Sequence, residues 1–207
     1  TARRCSYKDI AILYRINALS RNFEGALHNK GIPFRIYGGM RFFDRKEIKD
    51  ILAYLRLVIK GDDLSFERII NVPRRGIGDV SLEIIDLIAK ERGVSYLDVC
   101  ATAMEDPRLS RVAPKLYEFY RLIERFREEV RCDVITFPEL FEYIQNESGI
   151  VQEIIEQREK KSEMTDRVEN LKELISDAID FEKQLIQQRD MRSNQKDGVE
   201  TEEFEDT

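Results

Sequence analysis

The sequence predicts a mainly α-helical protein, a helical bundle preceded by a small strand–helix–strand piece. Charged residues make up 36% and hydrophobic residues 42% of the 207 residues, a balance that favours amphipathic helices around a real core. From Asp44 onward, apolar residues recur three and four positions apart, as on one face of a helix. Before that point, two short apolar runs flank a single helical segment.

The first 43 residues carry the predicted strands. Residues 9–14 form a short apolar run typical of a buried strand, and residues 34–37 alternate as a second strand. Helical spacing lies between them and ends at Gly31. Since one such unit cannot cover both faces of a sheet, we expect the rest of this α/β domain to belong to a longer protein. The absence of a starting Met agrees with that expectation.

The remainder of the chain is predicted to be helical. Asp44 is expected to cap a helix that runs through Val58. Further helices are predicted at residues 66–72, 80–92, 95–104, 116–130, 136–146 and 168–185. Residues 192–207 are acidic with little apolar content, so we predict that this end is disordered.

Composition excludes several classes of protein. No apolar run approaches the roughly 18 to 20 residues of a membrane span. The three cysteines are widely spaced and there is one histidine, which excludes a zinc-ligand set and favours a reducing, cytoplasmic setting. No phosphate-binding loop of the G-x-x-x-x-G-K-[ST] type is present. The net charge of −6 divides into +6 for residues 1–92 and −12 for the rest, which indicates a basic working half.

The most informative stretch is the turn at residues 72–79, Val-Pro-Arg-Arg-Gly-Ile-Gly-Asp. Gly76 and Gly78 lack a Cβ atom, so the backbone can turn sharply and another chain can approach it. Asp79 or Ser81 is predicted to cap the next helix, whose first N–H groups carry a partial positive charge. Exposed amides beside two arginines suit a phosphate, as in a helix-hairpin-helix. The alternative is an ordinary turn between helices with solvated arginines.

Other polar residues extend the candidate surface. Arg15 and Asn17 follow the first predicted strand, at the end where α/β sheets bind ligands. Lys49 and Arg56 are seven residues apart on one helix and hence on one face, from which they can follow a phosphate backbone together with the turn. The alternatives are a local ion pair for Arg15 and a solvated face for the helix.

A glycine pair precedes two aromatic residues at the junction of the two predicted parts. Gly38 and Gly39 permit a sharp reversal and are candidates for a hinge. Phe42 and Phe43 are flanked by arginines, so they either form stacking platforms for single-stranded nucleic acid or pack beneath the junction. Packing is the interpretation that we favour.

Four stretches resemble the UvrD/Rep/PcrA-type superfamily 1 DNA helicases. They are L-Y-R-x-N-x-x-S-R at 13–21, P-F-R-I-Y-G-G-M-R-F-F-x-R-x-E-I-K-D-x-x-x-Y-L-R-L at 33–57, N-x-P-x-R-G-I-G-D at 71–79 and R-V-E-N-L at 167–171. This family has two RecA-like motor domains, 1A and 2A, with helical inserts 1B and 2B. The resemblance implies a partial 2A segment at 1–43, an all-helical 2B-like domain at 44–190 and an acidic disordered linker at 191–207.

The resemblance also implies roles for individual residues. Arg15 and Asn17 match 2A residues that contact the single strand, and Lys49 and Arg56 match 2B residues near the duplex backbone. The 2B loop that holds duplex phosphates corresponds to Gly76, Ile77, Gly78 and Ser81, with Arg75 beside it. No catalytic residue or cofactor is expected in this stretch, whereas ATP and Mg are implied for the whole 3′-to-5′ enzyme.

Two functions are therefore expected as alternatives. The first is a DNA-engaging region of a repair helicase that grips duplex or junction DNA without sequence preference. The second is a protein-interaction or autoinhibitory module, in which the acidic half docks repair proteins or restrains the motor. The expected partners are single-stranded and duplex DNA, the remaining helicase domains and repair proteins, with no membrane.

Overall fold

Helices form the regular structure of the part of the chain that the computed structural model describes, which comprises residues 6–14, 20–36, 42–132, 135–157 and 161–197. The longer helices of these ranges are α1 (Ser20–Asn29), α2 (Lys46–Lys60), α3 (Asp63–Ile69), α4 (Asp79–Arg92), α5 (Tyr96–Ala101), α6 (Ala113–Arg131), α7 (Phe137–Glu147), α8 (Ile150–Glu156) and α9 (Lys161–Asp197). Short 3-10 turns lie at Tyr7–Asp9, Phe42–Asp44, Ala103–Glu105 and Pro107–Leu109. The mainly α prediction is confirmed.

Local sequence accounts for several helix ends. Gly61 and Gly93 follow α2 and α4 in the left-handed conformation, with φ of 69° and 66°, which a residue with a side chain rarely adopts. Ser95 and Thr136 precede α5 and α7 and form capping boxes with the acidic residue three positions later. These signals were readable in the sequence because they depend only on neighbouring residues.

The core is built around α2, which packs against α3, α6, α7 and α9. Its side chains Ile51, Tyr54 and Leu57 are fully buried. The ring of Tyr54 lies between those of Phe119 and Phe126 from α6, with centroids 6.4 and 6.5 Å away. Such aromatic contacts stabilise the packing beyond the burial of apolar area. The helices α2 and α6 therefore form the centre of the core, and the neighbouring turns pack against it.

The two predicted strands are wrong. Residues 10–14 and 32–36 have no regular structure, and no strand occurs elsewhere in the described ranges. Leu13 is 94% exposed and Ile10 is 60% exposed, so the first run is also not buried. A strand must share its backbone hydrogen bonds with a neighbour, and the described residues offer none. The helix predicted between the two runs is present as α1.

The start of α2 also differs from the prediction. Asp44 does not cap it; the N-cap residue is Arg45, and the carboxylate of Asp44 instead pairs with the Lys49 ammonium at 2.9 Å. Of the two aromatic residues, Phe42 is fully buried while Phe43 is 55% exposed. Phe42 therefore packs at the junction as favoured above, and Phe43 does not share that environment.

A buried polar network ties α9 to the start of α2. Asn170 accepts a hydrogen bond from the guanidinium of Arg45 and donates one to the carboxylate of Glu47 at 2.6 Å. Arg45 also donates to the Ser20 hydroxyl at 3.0 Å. All four residues are buried, and each finds a polar partner in the others, as buried polar groups require.

The long helix α9 continues to Asp197, past the boundary at residue 190 that the sequence predicted. Its last described turns follow a run of Gln, Arg, Met and Lys, whose helix propensity is high enough to extend a helix beyond its apolar face. Residues 198–207 of the predicted disordered linker lie outside the described ranges.

Candidate nucleic-acid interface

Hydrogen bonds between its own residues stabilise the turn between α3 and α4. We call residues 70–78 the glycine turn. The side-chain amide of Asn71 pairs with the backbone of Ile77 in both directions, accepting from its N–H at 3.0 Å and donating to its carbonyl. Ile77 is 1% exposed, so its side chain anchors the tip of the turn in the core. The peptide bond between Val72 and Pro73 is cis.

Arg75 stabilises the glycine turn through hydrogen bonds to its backbone. Its guanidinium donates to the carbonyls of Ile69, Ile70 and Pro73 at 3.1, 3.1 and 3.2 Å. It also donates to the Tyr54 hydroxyl at 2.9 Å and lies 4.9 Å from the centre of the Phe119 ring. The planar fork of an arginine is suited to holding several carbonyls at once. Arg75 is therefore committed to the turn itself.

Tyr54 completes this support. Its hydroxyl donates to the Val72 carbonyl at 2.5 Å and receives the bond from Arg75. Burial raises the pKa of this phenol, because the ionised form would lose its hydration. The hydroxyl thus remains a neutral donor at physiological pH.

The outer side of the glycine turn is open. Gly76 has φ of +71° and is exposed, and the backbone of Gly78 serves as the N-cap of α4. A Cβ atom built at Gly78 would meet no atom within 4 Å. Within the described residues, the N–H groups of Gly78, Asp79 and Val80 donate to no acceptor. Three backbone donors therefore face outward at the positive end of a 14-residue helix.

The predicted caps of α4 are not used. Asp79 is the first residue of the helix rather than its cap, and no side chain caps the N-cap position. The Ser81 N–H donates to the Gly78 carbonyl at 2.9 Å, so Ser81 offers only its hydroxyl. A glycine N-cap leaves the first amides uncovered, whereas a serine or aspartate cap would occupy one of them.

The two arginines of the glycine turn have different environments. The side chain of Arg74 is exposed and makes no hydrogen bond or ion pair within the described residues, although its backbone N–H donates to Glu153 at 3.0 Å. Arg75, by contrast, is partly buried and donates to four internal acceptors. The sequence alone could not distinguish them.

A groove runs from the glycine turn along α6. We call it the α6 groove; its volume is about 590 Å3 and its lining consists of Arg75, Lys115, Glu118, Phe119, Arg121, Leu122, Arg125 and Glu147. Four of these residues are cationic and two are acidic. No motif in the sequence had indicated this surface. The signal was present as three basic residues within eleven positions, Lys115, Arg121 and Arg125.

A model of the UvrD-like helicase C-terminal domain matches residues 2–196 of the chain. The chain belongs to this family. It is 40% identical over 173 residues to DNA helicase II of Salmonella typhimurium, covering 83% of this chain. It is 41% identical over 178 residues to DNA helicase II of Haemophilus influenzae, and 37% identical over 177 residues to the ATP-dependent DNA helicase PcrA of Staphylococcus aureus. The chain spans 24% of the length of each of these relatives.

The family resemblance is thus confirmed, and the remaining predicted DNA contacts of this UvrD-like chain can be placed. Lys49 and Arg56 share one exposed face of α2, as expected from their spacing. Tyr54, which faces the glycine turn, points about 140° and 160° away from them on an ideal helix. Lys49 and Arg56 therefore do not join the turn in one surface.

Other predicted positions lie outside the described ranges of the UvrD-like chain. They are Arg15 and Asn17, predicted to contact a single strand, and Gly38 and Gly39, predicted to form a hinge. Among the described residues, no group of His, Cys, Asp and Glu side chains is arranged to hold a metal ion. None of the helices in these ranges has the length and apolar character needed to cross a membrane.

Proposed function

We propose that this chain is the DNA-engaging, 2B-like region of an ATP-dependent 3′-to-5′ DNA helicase, and that its glycine turn holds a backbone phosphate of duplex or junction DNA. The observation that carries this proposal is the set of unpaired N–H groups at Gly78, Asp79 and Val80, beside the exposed Arg74. In this reading the turn acts like that of a helix-hairpin-helix.

The chemistry of the glycine turn suits a phosphodiester. Backbone amides at a helix start supply directed hydrogen bonds and a partial positive charge, and these favour an anion. The open space around Gly78 lets a phosphate oxygen approach the amides closely. No part of this arrangement reads a base edge, so binding should be independent of sequence and sensitive to salt.

The two arginines divide the work in this proposal. Arg74 supplies an exposed positive charge to the bound phosphate, because its guanidinium has no partner in the described part of the chain. Arg75 is a positioning residue, since its guanidinium fixes the carbonyls of the turn and thereby the direction of the amides. Lys49 and Arg56 would meet DNA along a separate path on the outer face of α2.

The parent enzyme would supply the motor. The matched relatives include an ATP-dependent DNA helicase and are about four times longer than the matched stretch, which supports a longer protein that uses ATP and Mg. In that protein, residues 1–43 would belong to motor domain 2A, with Arg15 and Asn17 on the single strand. Residues 44–190 would form the helical insert, and residues 191–207 would lead back to the motor.

A self-capping variant tests the proposal. Gly78 has φ of −84° and ψ of 170°, a conformation that a capping aspartate adopts readily. In Gly78→Asp, the new carboxylate should accept a hydrogen bond from the first turn of α4 and repel a phosphate. Fluorescence anisotropy with a fluorescent duplex should then show affinity at least tenfold below that of the unmodified chain, while the midpoint of thermal unfolding stays equal or rises.

The matched control is Gly25→Asp. Gly25 lies on α1, and a Cβ atom there also meets no atom within 4 Å, so the change in charge and side chain is the same at a site away from the turn. This control should bind duplex like the unmodified chain. Equal affinity of Gly78→Asp and the control would rule out the glycine turn as the phosphate site.

A further inference from the structure

The α6 groove begins where the glycine turn ends. The ammonium of Lys115 would lie 3.2 Å from a Cβ atom built at Gly76, so the first cation of the groove is in contact range of the turn. Arg121 and Arg125 follow along the same helix, and Glu147 of α7 closes the far side. The groove and the turn are therefore one continuous surface.

Two cations of the α6 groove are uncompensated. Lys115 and Arg121 are exposed, and neither makes an ion pair or hydrogen bond within the described ranges. Arg125 has a loose contact with Glu147 at 3.8 Å. Later on the same helix, Arg131 is paired with Glu124 and Glu128 at 3.2 Å each. The availability of positive charge is thus confined to the half of α6 nearer the turn.

The spacing of these cations matches a polyanion. An α-helix rises 1.5 Å per residue, so Lys115, Arg121 and Arg125 are separated by about 9 and 6 Å along the axis. A strand of duplex DNA advances about 3.4 Å per phosphate along its axis. A row of about 15 Å is long compared with this rise, so it can meet more than one phosphate of a DNA strand.

The groove is poorly suited to an apolar partner. Its two apolar lining residues, Phe119 and Leu122, are only 1% and 8% exposed, and the guanidinium of Arg75 covers the Phe119 ring. A protein helix that docks in a groove needs apolar anchor pockets, and the exposed residues that line this groove are lysine, arginine and glutamate. Repeated anions in an extended chain fit better than a folded protein surface.

We infer that the α6 groove is a second phosphate site, which holds further phosphates of the DNA strand whose phosphate is bound by the glycine turn. This inference rests on the proposed function and extends the predicted DNA contacts from the glycine turn to α6. Lys115 and Arg121 are the principal contacts, Arg125 is available once its loose contact with Glu147 is exchanged for a phosphate, and Glu118 opposes binding.

The salt dependence of binding tests the inference directly. The variant Lys115→Gln/Arg121→Gln removes two phosphate contacts, so the slope of log K against log salt should become shallower by about 1.8. Its loss of affinity for duplex, relative to the unmodified chain, should therefore be about 12-fold greater at 50 mM than at 200 mM salt. Fluorescence anisotropy over this range measures both quantities.

Two further variants separate the groove from general charge and from unfolding. Lys90→Gln/Lys183→Gln makes the same change in net charge at exposed positions that do not line the groove, and it should leave the slope unchanged. Glu118→Gln removes a carboxylate that lines the groove, and it should raise the affinity for duplex severalfold at low salt. A gain of affinity cannot arise from a misfolded variant.

The outcomes distinguish this inference from the function on which it rests. If Gly78→Asp weakens binding but Lys115→Gln/Arg121→Gln keeps the unmodified slope, the groove inference is overturned and the turn remains the DNA site. If neither variant changes binding, both are overturned. Retained DNA affinity with lost binding of poly-glutamate in the double variant would assign the groove to an acidic protein segment and would also overturn the inference.

Discussion

Two arginine-bearing turns of this molecule differ in how their charge is used. In the glycine turn, the side chain of Arg74 has no partner among the described residues, and the adjoining groove contains more cations than carboxylates. In the turn after α5, Arg108 forms a two-pronged pair with Asp106 at 3.0 and 2.9 Å and reaches Glu91 at 3.0 Å. Arg92 adds a third contact to Asp106 at 2.9 Å.

The difference shows that pairing, rather than the number of arginines, decides which surface can bind an anion. Both turns contain two arginines, yet Arg108 of the second is neutralised by neighbouring carboxylates. An exposed ion pair contributes little to stability, but each of its two charges is neutralised by the other and attracts a ligand less strongly.

The largest effect on stability is expected at Arg75. Replacement by alanine removes the donor from the carbonyls of Ile69, Ile70 and Pro73 and from the Tyr54 hydroxyl. We expect Arg75→Ala to lower the free energy of unfolding by about 2–4 kcal/mol, because several partly buried acceptors lose a charged donor. Urea denaturation followed by circular dichroism gives this value.

The neighbouring Arg74→Ala is the matched control for Arg75→Ala. It should change the free energy of unfolding by no more than about 0.5 kcal/mol, since its side chain is exposed. Its affinity for duplex should nevertheless fall severalfold. A reversed pattern, in which Arg74→Ala unfolds the chain and Arg75→Ala does not, would contradict the division of roles between the two arginines.

A smaller effect, visible in its pH dependence, is expected in the paired turn. The hydrogen bond from the Arg108 guanidinium is the main cause that lowers the pKa of Asp106 to about 2 from its ordinary value of 3.8. The charged pair therefore stabilises the fold above pH 3.8 and this contribution is lost as the pH falls through about 2.

Asp106→Asn should consequently be less stable than the unmodified chain at pH 7. The difference between their midpoints of thermal unfolding should decrease as the pH is lowered from 4 toward 2. Thermal unfolding at several pH values measures this difference. Duplex affinity at pH 7 should stay equal or rise, because loss of the Asp106 carboxylate leaves the Arg92 guanidinium without its acidic partner. A drop in duplex affinity would contradict the idea that pairing decides which surface binds an anion.

The smallest effect is expected at Arg56. Its face of α2 points away from Tyr54 and the glycine turn, so Arg56→Gln should lower the affinity of the isolated chain for a short duplex by less than threefold. The same anisotropy titration provides the comparison with Arg74→Ala. An equal loss in the two variants would mean that the bound duplex wraps around α2.

Local signals in the sequence predicted much of the fold. The helices predicted at residues 80–92 and 136–146 are present as α4 and α7, and the glycine and the capping box at their ends depend only on neighbouring residues. The prediction of strands was wrong because the apolar run at residues 10–14 has no pairing partner in the described part of the chain. Apolar character identifies a segment that needs a neighbour, but it does not supply one.

The candidate site was only partly predictable for a similar reason. The motif N-x-P-x-R-G-I-G-D located the glycine turn, yet it could not show that Asn71 clamps Ile77 or that Arg75 is held by Tyr54. The Tyr54 contact joins residues 21 positions apart, and the α6 groove joins residues even more distant in sequence. Only packing brings them together.

The buried network around Asn170 has a mechanical consequence. Asn170 joins α9 to Arg45 and Glu47 at the beginning of α2, so hydrogen bonds hold the start of α2 against α9. A force applied between these two segments is resisted by the hydrogen bonds together with the packing of α9 against α2, α7 and α8. The start of α2 and this part of α9 therefore move together with the α2–α6 core.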